Sequence, residues 1–130
     1  MNEPVEVLLD RVQDRGGYRE RRAAAGAVQS VLEVLGAHLV GDDRTDLARL
    51  LPRQYGPLLT EGAPAGEPLT PAAFIDAVGA HVDVDAGQAR RAVTAVLATL
   101  AEVTDDALLR RILTQLPPGH AGLFGRTDPT

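Results

Sequence analysis

A chain of 130 residues is long enough for one domain with its own core, and 45% hydrophobic with 24% charged residues is the make-up of an ordinary globular protein. It has no cysteine, which excludes disulfides, thiolate metal sites and a cysteine nucleophile. All 13 basic residues are arginine, and the missing lysine excludes Schiff-base catalysis and a phosphate-binding loop ending in Gly-Lys. A net charge of −5 argues against nucleic acid as a partner, because phosphate neutralisation supplies most of the affinity in such complexes.

The start Met1-Asn2-Glu3-Pro4 is acidic and does not read as a secretory signal. No stretch approaches the ~20 apolar residues of a membrane span, so a cytoplasmic protein with no membrane partner is expected. Val5, Leu8, Leu9 and Val12 recur at helical spacing and predict a first helix from about Glu3 to Asp14, stopped by Gly16-Gly17. A second, longer helix from about Arg19 to Leu39 carries the stripe Ala24, Ala27, Val28, Val31, Leu32 and Leu35. Gly41-Asp42-Asp43 opens a short third helix that carries Leu47, Leu50 and Leu51 and that Pro52 limits. Tyr55, Leu58 and Leu59 follow in a further turn or a loop. Thr60 to Leu69, with Gly62, Pro64, Gly66 and Pro68, reads as a linker.

Thr70-Pro71 is an N-cap with proline at the first helical position, and it opens a helix with Phe74, Ile75, Val78 and Val82 inward. Asp85 and Gln88 have the spacing of a capping box before a long helix that runs to about Glu102. Thr104 is expected to cap the next helix, whose buried side is Leu108, Leu109, Ile112 and Leu116. Pro117-Pro118-Gly119 ends it, Leu123-Phe124 packs behind it, and 126–130 reads as a loose tail.

The two halves repeat each other at an offset of about 65 residues: Ala24/Ala89, Ala27/Ala92, Val28/Val93, Val31/Val96, Leu32/Leu97, Leu35/Leu100, Leu51/Leu116, Pro52/Pro117 and Leu58/Leu123 are identical. All of these positions are apolar, as expected of a repeat that preserves a fold. No alternating strand pattern appears. The fold expected is all-α, two tandem three-helix repeat units packed into one helical bundle domain, with unit one at about 3–59, a linker at about 60–69 and unit two at about 70–125.

Ala89-Arg90-Arg91-Ala92-Val93, Ala95-Val96-Leu97, Gln115-Leu116-Pro117 and Leu123-Phe124-Gly125 together resemble the bacterial family known as domain of unknown function 2267. The resemblance covers about Val5 to Gly125, and it implies an all-helical repeat protein without naming an activity. The first half departs from the family pattern at Ala25-Gly26 and at Leu50-Leu51-Pro52, where the family usually has Gln-Leu-Pro.

Candidate chemistry is sparse. Ser30 is the single serine and lies inside the long helix with no nucleophile-elbow frame. His81-Val82-Asp83-Val84-Asp85 spaces three ligand types alternately but lacks the rest of a calcium loop, and it reads as a helix exit and an N-cap. His38 and His120 lie too far apart in the chain to suggest a ligand pair, and each reads as a surface or half-buried residue. Asp42-Asp43 and Asp105-Asp106 read as exposed acids at helix starts, since general acid or base work would need a raised pKa. The arginine clusters at 19–22, 90–91 and 110–111 read as solvated faces paired with acids. No catalytic residue, cofactor or metal is expected.

The function expected is a non-enzymatic helical module that binds another protein or itself. A second reading is a regulator that holds a small apolar ligand between its halves. Val34 is apolar where its counterpart Thr99 is polar, and Leu39 and Val40 likewise face Thr104 and Asp105 in the alignment. An apolar residue on one copy alone is not required by a shared core, so Val34, Leu39 and Val40 are the expected interaction face, with filling of the joint between the halves as the competing account.

Overall fold

The computed structural model describes residues 3–39, 41–61, 69–82, 84–117 and 119–125. Val40, linker residues 62–68 and the tail 126–130, named above, lie outside the described residues, as do the side chains of Val5 and Val82. The described residues form eight helices and no strand: α1 (Glu3–Gly16), α2 (Arg21–Ala37), α3 (Gly41–Leu50), α4 (Gly56–Thr60), α5 (Pro71–Val82), α6 (Ala86–Val103), α7 (Asp106–Gln115) and α8 (His120–Leu123). Three longer helices in each half are thus followed by a short one, α4 or α8, and the stretch of Tyr55, Leu58 and Leu59 is a turn of helix rather than a loop. Pro52 ends α3 only briefly, and Pro57 then starts α4 near its first position, where a missing N–H costs nothing.

The two long helices form the centre. α2 and α6 pack on each other, and α1 and α5 each lie against both. α4 closes over α2, α8 closes over α6, and α3 meets α7. The aliphatic stripe explains why α2 and α6 take the middle: Ala24, Val28, Val31, Leu32, Ala89, Val93, Val96 and Leu97 are all buried, and small alanines at the crossing let the helix axes approach. Phe74 is fully buried and Phe124 nearly so among these aliphatics. Gly36 permits a second close approach, because a Cβ there would stand 2.7 Å from the Cα of Leu59 in α4.

Local capping follows the sequence at two of three starts. The Thr70 hydroxyl accepts the Ala73 N–H at 3.1 Å, and the Asp85 carboxylate accepts that of Gln88 at 2.8 Å. At α7 the cap is Asp105, which accepts the Leu108 N–H at 2.8 Å. Thr104 instead turns its buried hydroxyl back to the Leu100 carbonyl at 2.6 Å and terminates α6. A carboxylate one residue later reaches the free α7 amides, while a threonine hydroxyl satisfies a carbonyl orphaned at the end of α6.

Leu50 takes the outer side of α3. Leu47 and Leu51 are buried, whereas Leu50 is 45% exposed. α3 ends at Leu50, and the four-residue step from Leu47 to Leu51 keeps the shared face better than the three-residue step to Leu50.

Candidate functional site

Val34 and Leu39, expected at an interaction face, are 5% and 1% exposed and belong to the hydrophobic core. The reason is the setting of α2, which touches α1, α4, α5 and α6, so that most of its second half is covered. The aligned Thr99 is buried as well: its hydroxyl donates to the Ala95 carbonyl at 2.8 Å and accepts from Arg15 Nη1 at 2.9 Å. A polar residue and an apolar one thus serve the same kind of interior position, and Val40 lies outside the described residues.

The apolar surface lies elsewhere. Four large hydrophobic side chains are notably exposed among the described residues, and three of them, Val7 (48%), Leu50 (45%) and Val103 (42%), line one groove. Its volume is about 500 Å³, and Leu8, Leu51 and Pro52 complete its apolar wall. α1, the end of α3 and the end of α6 supply these residues. At its rim Arg11 pairs with Glu102 at 3.0 Å, and Arg15 pairs with the other Glu102 oxygen. Desolvation pushes the Glu102 carboxyl up, but the hydrogen bonds and charges of Arg15 and Arg11 outweigh it and hold the group below its ordinary value. The sequence carried one signal for this groove. Leu50 is the residue at which the first half departs from Gln-Leu-Pro, and an apolar side chain replacing glutamine at a helix end is an exposed one.

His38 and His120, read as unrelated, come together on either side of Phe74. The ring centroids lie 5.8 Å and 5.5 Å from that of Phe74. His38 accepts the Leu69 N–H on Nε2 at 3.2 Å, so its hydrogen is on Nδ1 and is donated to the Val34 carbonyl at 2.8 Å. This ties the residue before α5 to the end of α2. His120 is buried, donates from Nδ1 to the Pro117 carbonyl at 2.8 Å, and leaves Nε2 without a partner among the described residues. Burial lowers its pKa, opposed by the Pro117 hydrogen bond and reinforced by the charge of His38. The pair serves packing: both His38 nitrogens are engaged, and among the described residues no carboxylate is hydrogen-bonded to either ring.

The remaining candidates resolve into structure. Ser30 donates its hydroxyl to the Gly26 and Ala27 carbonyls within α2. Asp43 accepts from Arg111 Nε at 2.9 Å and from Gln115 Nε2 at 2.7 Å, which joins α3 to α7 and holds the Asp43 carboxyl below the usual carboxylate range, the wrong direction for a neutral-pH base. In the arginine clusters Arg21 pairs with Asp10, and Arg111 pairs with Asp43. Asp85 is the α6 cap, Asp83 and the side chain of His81 lie outside the described residues, and no group of three or more metal-ligating side chains occurs among those described. No described helix is long and apolar enough to cross a membrane.

No curated protein matches the chain. The profile of a family described as uncharacterised conserved proteins, DUF2267, matches residues 6–123, from the first turn of α1 to the end of α8. A match over that span covers nearly every helix and both long central ones, and the chain belongs to the DUF2267 family.

Proposed function

We propose that the protein is a non-catalytic interaction module, that its contact surface is the groove of Val7, Leu50 and Val103, and that the occupant is a second copy of the chain. The exposure of these three side chains around one concavity carries the reading, because contiguous apolar surface of this kind marks association sites whereas scattered single residues do not. The rim favours self-association. Arg11 and Glu102 stand side by side there, 51% and 35% exposed, so a twofold-related copy meets the opposite sign at each of them. A chain of net charge −5 repels its copies in general, and a rim of both signs removes that repulsion at this one place. In the same reading the halves are two copies of one four-helix unit in a cytoplasmic bacterial protein, and the apolar face on the α1 side is the feature that the second copy lacks.

Sedimentation velocity over a concentration series tests the reading. The wild type is expected to dimerise and Leu50→Glu to remain monomeric with native circular dichroism. Arg11→Glu and Glu102→Arg should each weaken the dimer, and the double exchange should restore it. A wild type that stays monomeric at the highest concentration removes self-association, and a dimer unaffected by Leu50→Glu removes the groove.

A further inference from the structure

A second concavity lies at the opposite end of the central helix pair. Ala23, Gly26 and Ala27 of α2 and Ala92 of α6 form an apolar floor, Val84 forms one edge, and the volume of this open cleft is about 410 Å³. This falls in the range of roughly 300–1,000 Å³ found for small-molecule sites. Three residues with polar side chains line it: Tyr18, Gln88 and Arg91.

The described residues show no hydrogen bond from the Tyr18 hydroxyl, none from the Gln88 side chain and no ion pair for Arg91, although Arg21 and Arg111 in the other clusters are paired. The floor is built of small residues, alanine and glycine. At Gly26 an added Cβ meets nothing within 4 Å, so the space above the floor is open.

We propose that this cleft binds a small organic monocarboxylate with an apolar body, the carboxylate held by Arg91 and Tyr18 and the body laid on the alanine and glycine floor. A guanidinium offers two parallel N–H donors that match the two oxygens of a carboxylate, and a phenol adds a third donor. Tyr18 is kept in the donating form: burial raises its pKa and Arg91 lowers it less than burial raises it. Asp85, whose carboxylate accepts the Gln88 backbone N–H one turn away, sets a negative charge beside the polar edge. That charge selects a singly charged head over a phosphate dianion. The ligand would bridge α2 and α6 and so bear on how the two halves meet, independently of the groove at the far end.

2-Naphthoate is a suitable probe, because the chain has no tryptophan to obscure its fluorescence. Titration is read by probe fluorescence and by the methyl resonances of Ala27, Val84 and Ala92. Saturable binding with shifts confined to those methyls is expected. Arg91→Gln should weaken it by about tenfold or more, as should replacing the probe by the neutral 2-naphthalenemethanol. Gly26→Leu should fill the cleft and abolish binding, and because no atom lies within 4 Å of the added Cβ the side chain enters the cleft without moving the backbone. Absence of saturation at millimolar probe overturns the site. Equal binding by wild type, Arg91→Gln and Gly26→Leu overturns it too, and loss in Gly26→Leu with no effect of Arg91→Gln overturns the carboxylate assignment. The exposed Arg91 side chain can be replaced without loss of fold, so the test stands even if Gly26→Leu destabilises the chain.

Discussion

The ring of His120 stands edge-on to that of Phe74, with centroids 5.5 Å apart and planes at 81°, and this contact fixes α8 against α5 at the heart of the second half. His120 is the neutral partner in that contact. Its Nε2 faces the interior with no acceptor among the described residues, so protonation there would bury an unpaired N–H and a charge together.

The pH dependence of stability follows. The folded-state pKa of His120 lies below its ordinary 6.5. The unfolded chain therefore binds the proton first as the pH falls. Stability is complete above pH 6.5, declines below it, and levels off once the pH passes the folded pKa. His120→Leu removes this contribution. The melting temperature of the wild type, compared with that of the variant, should fall progressively behind as the pH drops below 6.5, and parallel profiles would show that His120 does not titrate against the fold.

Two glycines of α2 should respond to alanine in opposite directions. Gly26→Ala adds a methyl to open space and should stabilise by about 0.5–1 kcal/mol through helix propensity alone. Gly36→Ala gains the same propensity but drives its Cβ to 2.7 Å from the Leu59 Cα, so α4 must lift away, at a cost of about 1–3 kcal/mol. Chemical denaturation of both variants checks the sign, and stabilisation of Gly36→Ala would mean that α4 sits less tightly on α2. The aligned Ala101 in α6 is buried without such a conflict, which shows that the close approach belongs to the first half.

Leu32 and Leu97 are both fully buried on the two central helices. Cutting either to alanine should cost about 2–5 kcal/mol, measured by urea unfolding. Substitutions that both melt with the wild type would place neither residue in the core.

The assignment of the α7 cap can be separated from its neighbour by hydrogen exchange. Asp105→Ala should cost about 0.5–2 kcal/mol and speed exchange of the Leu108 amide, which loses its acceptor. Thr104→Val leaves that amide bonded and should leave its exchange unchanged.

Local rules made a large part of the architecture legible. The apolar spacing of Ala24, Val28, Val31 and Leu32 and of their counterparts marks the two long helices, and Thr70 and Asp85 cap as their spacing requires, because these interactions span at most a few residues. The proposed groove was legible only at Leu50. Periodicity says which face of a helix is buried first, but the number of neighbours decides whether any face stays free. Val34 and Leu39 are interior because four helices surround α2, and Val7 and Val103 are exposed because α1 and α6 leave a gap beside the end of α3. Contacts between residues far apart in the chain belong wholly to the tertiary structure: Asp43 with Arg111, and His38 with Phe74 and His120. Nothing in the local spacing of an aspartate or a histidine states which distant side chain the packing of apolar faces will bring to it. The sequence by itself determined an all-helical chain with its long helices and two of its caps, through interactions that act within a turn or two. Only the packing of those helices decided which polar groups meet and which apolar ones are left in water.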